Sequence, residues 1–443
     1  MTVNYTQALR GQFFDITQTG TRPDELLANA RHHEDGLLFL NDGIIVALLP
    51  WEEGRLHLRA ENDYVDYRGK LILPGFIDTH LHYPQTEMIG AYGEQLLEWL
   101  QTYTFPVESQ YQDSSHAAKM SAFFLNQLLS NGTTTALVFG TVHPQSVDAL
   151  FSAAEHLSMR MIAGKVMMDR NAPDYLTETP EQSYQQTREL IQRWHKKGRL
   201  NYALTPRFAP TSSPELLAAV QALREEFPDT WLHTHLSENS AEVEWVKSLW
   251  PESESYLGVY HHYKLTGKRS VFAHAIHLQD CEWDCLHRTE SAIAFCPTSN
   301  LFLGSGLFNL KQCHERGIRM GIGTDVGAGT TFNMLQTLAE AYKVAQLQGY
   351  RLCASEAFYH ATLGGAHALD LDDKIGNFLP GKEADLVVLD LAVSPLQKMR
   401  HANSRDIYEK LFVLMTLGDD RNIWHTWVNG KCVWTRDTLE VAA

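Results

Sequence analysis

The chain has 443 residues, 44% of them hydrophobic and 20% charged, which describes an ordinary soluble protein with room for one large domain and a second. Its 37 Lys and Arg against 53 Asp and Glu give a formal charge of −16, which excludes the basic surface that a nucleic acid or an anionic membrane would need. No apolar run approaches the ~18 residues of a membrane span, so no membrane partner is expected.

The opening MTVNYTQALRGQFFD lacks a basic start followed by an apolar core, so no signal peptide is expected. The six cysteines (Cys281, Cys285, Cys296, Cys313, Cys353 and Cys432) are scattered without a C-x-x-C, which suits reduced thiols and a cytoplasmic location. Within residues 1–70, GLLFLNDGIIVALLP sets two apolar runs around Asn41-Asp42-Gly43 and predicts a β-hairpin. Eight short apolar runs follow, at 73–82, 133–140, 160–169, 201–208, 231–239, 270–276, 292–300 and 319–327, with helix-like stretches between them. Helix stops fall at Asn131-Gly132 and Gly317. The count and length match a (β/α)8 TIM-type barrel over 71–375, and continuous apolar runs suit strands buried on both faces. A doubly wound sheet would carry a Gly-rich phosphate turn after a strand, and no G-x-G-x-x-G is present. The end of the chain turns β-rich again in ADLVVLDL and in WHTWVNGKCVW, which turns at Asn429-Gly430. The α/β barrel is therefore expected to carry a small β-sandwich domain built from both termini, 1–70 and 376–443.

FIDTHLH (76–82) sends Asp78, His80 and His82 to one side of a strand, a geometry in which two imidazoles can grip a metal. Alone it decides nothing, because 21 histidines in this length give roughly one His-x-His by chance. Catalytic residues of such barrels sit at the C-terminal ends of the strands. Those ends carry His80 and His82, Arg207, His235 with Glu238 just beyond, His274, and Asp325. Three histidines and an aspartate make a four-ligand site with room for water, common for zinc and possible for iron.

Each candidate has a plainer alternative. His233 shares the parity of His235 but lies deeper, as a core residue or a support to a ligand; His274 and His277 compete, and parity does not decide between them. Asp325 and Glu238 could cap helices, and Arg207 could form a surface ion pair. The fourth strand ends TPRF without the modified lysine that bridges two ions in related barrels, and Lys165 lies mid-strand, so one metal is expected. A metal in such a set acidifies water toward neutrality. Glu238 and Asp325 are then placed to shuttle protons, with His274 orienting the water. No Pro-Cys dipeptide occurs, which excludes the H-x-E…P-C-x-x-C deaminase architecture.

PGFIDTHLH, HLSE, FAH, GIGTD and GNFLPGKEADLVVLD together resemble the metal-dependent amidohydrolase superfamily over nearly the whole chain. HYPQT, LLEWLQTYTFP, GKVMMDRNAPDY, TPRFAPTSS and FCPTSNLFLGSG are similar to its guanine-deaminating branch. The resemblance implies one Zn(2+) per subunit on His80, His82, His235 and Asp325, a homodimer, and conversion of guanine to xanthine and ammonia. It further implies substrate contacts from His82, Tyr83, Pro84, Gln85, Arg207, Phe208, His235, Glu238 and Asp325, with Gln85 and Arg207 on the purine's hydrogen-bonding edge and Phe208 beside the ring.

Overall fold

The computed structural model describes residues 3–92 and 95–436. All eight predicted barrel strands form: β1 (Phe76–His82), β2 (Thr133–Phe139), β3 (Arg160–Gly164), β4 (Leu200–Pro206), β5 (Trp231–Leu236), β6 (Ser270–His274), β7 (Ala292–Phe295) and β8 (Arg319–Ile322). Each pairs in parallel with the next. The predicted helix stop at Asn131-Gly132 is the C-cap of helix Ser114–Ser130, with Gly132 at φ 79°. Gly317 ends Leu310–Glu315 in the same left-handed conformation.

The barrel closes between β1 and β8 through groups near its mouth. Asp325 N–H donates to His80 O (2.9 Å), and His82 N–H donates to Val326 O (2.6 Å). Below them the buried Asp78 carboxylate accepts from Thr324 N–H (3.1 Å) and from Thr324 Oγ1 (2.5 Å). Close approach here requires glycine in β8, since a Cβ on Gly321 would stand 2.3 Å from Thr79 Cγ2.

Both chain ends meet in one seven-stranded sheet of order Lys431–Thr435, Ile423–Val428, Leu386–Leu389, Val65–Pro74, Gln7–Ile16, Ala30–Asn41, Ile44–Pro50. The halves join where Leu386–Leu389 pairs antiparallel with Val65–Pro74. Both predicted hairpins form; Asp42-Gly43 and Asn429-Gly430 take the positive φ of a type I′ turn (50° and 84°, 50° and 74°). The two turns abut, and Ile45 N–H donates to Lys382 O, so the far edge returns to the chain just ahead of Leu386. The two layers of the expected sandwich are thus halves of one sheet folded over a shared core of Leu9, Leu38, Leu40, Ile45, Ile72, Leu386 and Val388.

This sheet is fixed to the end of the barrel opposite the mouth. Arg160, which opens β3, and Arg199, just ahead of β4, both reach Glu383 at 2.9 Å, and Arg199 also pairs with Asp385. Among the described residues no helix is long and apolar enough to cross a membrane. Replacing Glu383 by Ala leaves two largely buried guanidinium groups without this partner. The expected loss is about 3 kcal/mol, read as a lower urea midpoint with an unchanged near-ultraviolet spectrum.

Candidate active site

The strand ends bring His80, His82, His235 and Asp325 together. His80 Nε2 stands 3.1 Å from Asp325 Oδ1, His82 Nε2 3.5 Å from the same oxygen, and His82 Nε2 3.2 Å from His235 Nε2. A tetrahedral zinc with bonds of about 2.1 Å holds its donors about 3.4 Å apart, so these separations fit one ion. The tautomers fit as well. His235 Nδ1 faces Arg207 O at 2.7 Å and His80 Nδ1 faces His233 Nε2 at 2.6 Å, which leaves both Nε2 atoms their lone pairs. His80 Nε2 is buried with no hydrogen bond. Burial, reinforced by the neighbouring rings, holds His80, His82, His233 and His235 well below the ordinary imidazole range and therefore neutral, as ligands must be.

The neighbouring polar side chains differ in where they point. His233 lies beneath His80 as its hydrogen-bond partner. His277 turns away to Ser305 O (2.8 Å), whereas His274 enters the cavity, its Nδ1 on Asn300 Oδ1 (2.8 Å) and its Nε2 3.4 Å from Glu238 Oε2 and 3.8 Å from Asp325 Oδ2. Neither carboxylate caps a helix, because Asn239 caps Ser240–Leu249 and Asn333 caps Met334–Leu347. Lys165 is buried against Glu178, away from the cluster.

Backbone geometry aims these groups. Ser237, His274 and Asp325 all have positive φ (49°, 70° and 51°), a conformation rare outside glycine, where their strands end at the mouth. Burial pushes the Glu238 carboxyl up to about 7, so it exchanges a proton readily near neutrality. Burial opposes charge on His274, but the facing Glu238 and Asp325 carboxylates outweigh it and raise its pKa.

Beside the cluster is a cavity whose wall includes Leu96, Trp99, Leu100, Phe208 and Leu303. Its polar edge is built by three buried side chains. Arg207 Nη1 donates to both Glu108 oxygens (3.0 and 2.8 Å), and Gln85 Nε2 donates to Glu108 Oε1 (3.0 Å) while Gln85 Oε1 accepts from Gly327 N–H (3.3 Å). Arg207 is therefore no surface ion pair; it is 3% exposed.

Tyr83 and Pro84 do not line the cavity. The Tyr83 hydroxyl donates to Ser146 O (2.7 Å) and its ring packs on Tyr111 and Phe124, while Pro84 is the second residue of the turn Tyr83–Met88 that carries Gln85 inward. Their nearness in sequence to Gln85 is misleading because the turn points successive side chains in different directions. Glu108, Asn300 and Ser305 escape sequence reading. They lie in irregular or short helical segments with no period to mark a face, although TYTFPVES and FCPTSN hold two of them.

The sequence signature of the amidohydrolase family matches residues 71–433. The chain belongs to the amidohydrolase family. Among amidohydrolase relatives, guanine deaminase of Escherichia coli strain K12 is 64% identical over 97% of this chain and 98% of its own. The solved structure of E. coli guanine deaminase superposes with a TM-score of 0.96 over 97% of this chain and 100% of that one, at 64% identity. A guanine deaminase from C. acetobutylicum, solved with guanine bound in its active site, gives a TM-score of 0.86 at 31% identity, covering 97% of this chain and 100% of that one.

Replacing Tyr83 by Phe removes one buried hydrogen bond outside the cavity. It is expected to cost about 1 kcal/mol in thermal or urea unfolding and to leave turnover within about twofold.

Proposed function

We propose that this chain is a guanine deaminase, converting guanine and water to xanthine and ammonia. The observation that carries this is the pairing of the ligand cluster with the Arg207–Glu108–Gln85 edge around one cavity. It is supported by 64% identity to an enzyme of that name over 97% of the chain.

In this reading His80, His82, His235 and Asp325 hold one Zn(2+), which supplies the Lewis acidity that brings a water proton within reach of neutral pH. Glu238 accepts that proton as the water oxygen bonds to C2 of the ring, and delivers it to the adjacent ring nitrogen. His274 holds the water in line for attack from its position between Glu238 and Asp325. Asp325 passes the water's second proton to the amino nitrogen, and the C2–N bond breaks to release ammonia. Arg207, its charge balanced by Glu108, keeps guanidinium N–H groups for the ring carbonyl. Gln85 is fixed with its nitrogen toward Glu108 and its oxygen toward Gly327, and presents its remaining hydrogen and lone pair to the ring edge. Phe208 lies beside the base. Adenine, which has an amine where guanine has the carbonyl, would leave these donors unpaired.

The same reading makes the enzyme a cytoplasmic homodimer, with sheet segments from both chain ends flanking the catalytic barrel; the N-terminal boundary expected at 70/71 falls instead at Gly75, because Val65–Pro74 pairs within the terminal sheet and β1 opens at Phe76. Light scattering on a sizing column should return twice the chain mass; a single chain mass would refute the dimer.

Ammonia release from guanine, with adenine as the control, tests the activity directly. Glu238→Gln is expected to retain metal and lose about 1,000-fold in kcat, and near-normal turnover would remove Glu238 from the mechanism. Arg207→Ala should keep metal content and lower kcat/KM for guanine by roughly 100-fold. An unchanged kcat/KM would sink its assigned contact.

A further inference from the structure

Among the described residues, one other group of metal-ligating side chains is gathered away from the barrel mouth: His314, Glu356 and His360. We propose that these three residues form a second metal site, structural in role, that takes a zinc-class divalent cation at the end of the barrel opposite the active site.

His314 lies on the helix Leu310–Glu315 ahead of β8, and Glu356 and His360 lie one turn apart on Ala354–His360, after the barrel. The i, i+4 spacing puts the carboxylate and the imidazole on one helix face. His360 Nδ1 faces Met320 O (3.3 Å) near the start of β8, which places the group away from the mouth. His314 Nδ1 faces Thr21 O (2.5 Å). Both rings thus commit their Nδ1–H to a backbone carbonyl and turn an Nε2 lone pair inward, the orientation that outer hydrogen bonds impose on metal-bound histidines.

Both Nε2 atoms are buried without a hydrogen bond, as is His80 Nε2 in the active site. The ligand atoms of the three residues lie within 4.8 Å of one another, and His314 Nε2 is 3.0 Å from Glu356 Oε1. Glu356 is fully buried and held by the Tyr350 hydroxyl (2.7 Å), whose ring stacks on His314. Two imidazoles and a carboxylate are a zinc-type donor set. The fourth position is open to water or to Cys353, whose Sγ is 4.0 Å from Glu356 Oε2.

The competing account is a plain ion pair between protonated His314 and Glu356. It employs two of the three groups and leaves His360 Nε2 buried without a partner, which is unfavourable. A cation satisfies all three. It would also tie the N-terminal segment at Thr21 to the helices on either side of β8.

The test is a metal count on full-length protein loaded with Zn(2+) and stripped of excess by gel filtration. Two zinc ions per chain are expected. His360→Gln should bind one, keep guanine turnover within about twofold, and lower the thermal midpoint only in the zinc-loaded form. Glu356→Gln, nearly isosteric, carries the same expectation should His360→Gln fail to fold. In His82→Ala, where the mouth site is broken, Co(2+) should still give a tetrahedral visible spectrum that vanishes when His360→Gln is added. One zinc in the parent chain, or a count unchanged by both variants, would overturn the proposal in favour of the ion pair.

Discussion

The site depends on how the first strand of the barrel meets the eighth. His80 and His82 stand on one side of that seam and Asp325 on the other, and their separations fit a single ion only because the seam is tight. Asp78 fixes it from below. Its carboxylate is fully buried, takes two hydrogen bonds from Thr324, and spans the two strands where glycine in the eighth allows the backbones to close. Burial drives the Asp78 carboxyl up to about 7, against the Thr324 and His80 hydrogen bonds that favour its charged form. The contact is thus bought at some electrostatic expense in order to set geometry.

The same trade recurs around the cavity. Arg207 and Glu108 are both buried, and removing either would strand the other's charge. Together they present a neutral unit with fixed N–H directions, and Gln85 is locked onto the same carboxylate. A largely apolar pocket wall strengthens each of these directed bonds and makes a mismatched ring costly. His274 lies between Glu238 and Asp325, which raise its pKa against the cost of burial, while burial also pushes the Glu238 carboxyl up. Such closely coupled protonation suits a reaction that moves two protons.

The remainder of the fold supports this from a distance. The terminal sheet anchors below the barrel through Arg160, Arg199, Glu383 and Asp385 and leaves the mouth free. Its two ends meet through turns whose positive-φ residues were already visible as Asn-Asp-Gly and Asn-Gly.

The sequence by itself determined the eight barrel strands, both hairpins and the candidate ligands at strand ends, because buried strands write continuous apolar runs and type I′ turns demand particular residues. Position along the fifth strand also placed His235 nearer the mouth than His233, with which it shares parity. Tertiary structure decided what local pattern cannot encode. His274 rather than His277 enters the cavity because left-handed backbone at His274 and Ala275 redirects the chain as the strand ends. Tyr83 and Pro84 leave the cavity while Gln85 enters it, since a tight turn has no two-residue alternation. Glu108 is 99 positions from its partner Arg207, and His314 comes from a different helix, well ahead of the one that carries Glu356 and His360. Such proximity exists only after the barrel has closed, and no window of sequence contains it.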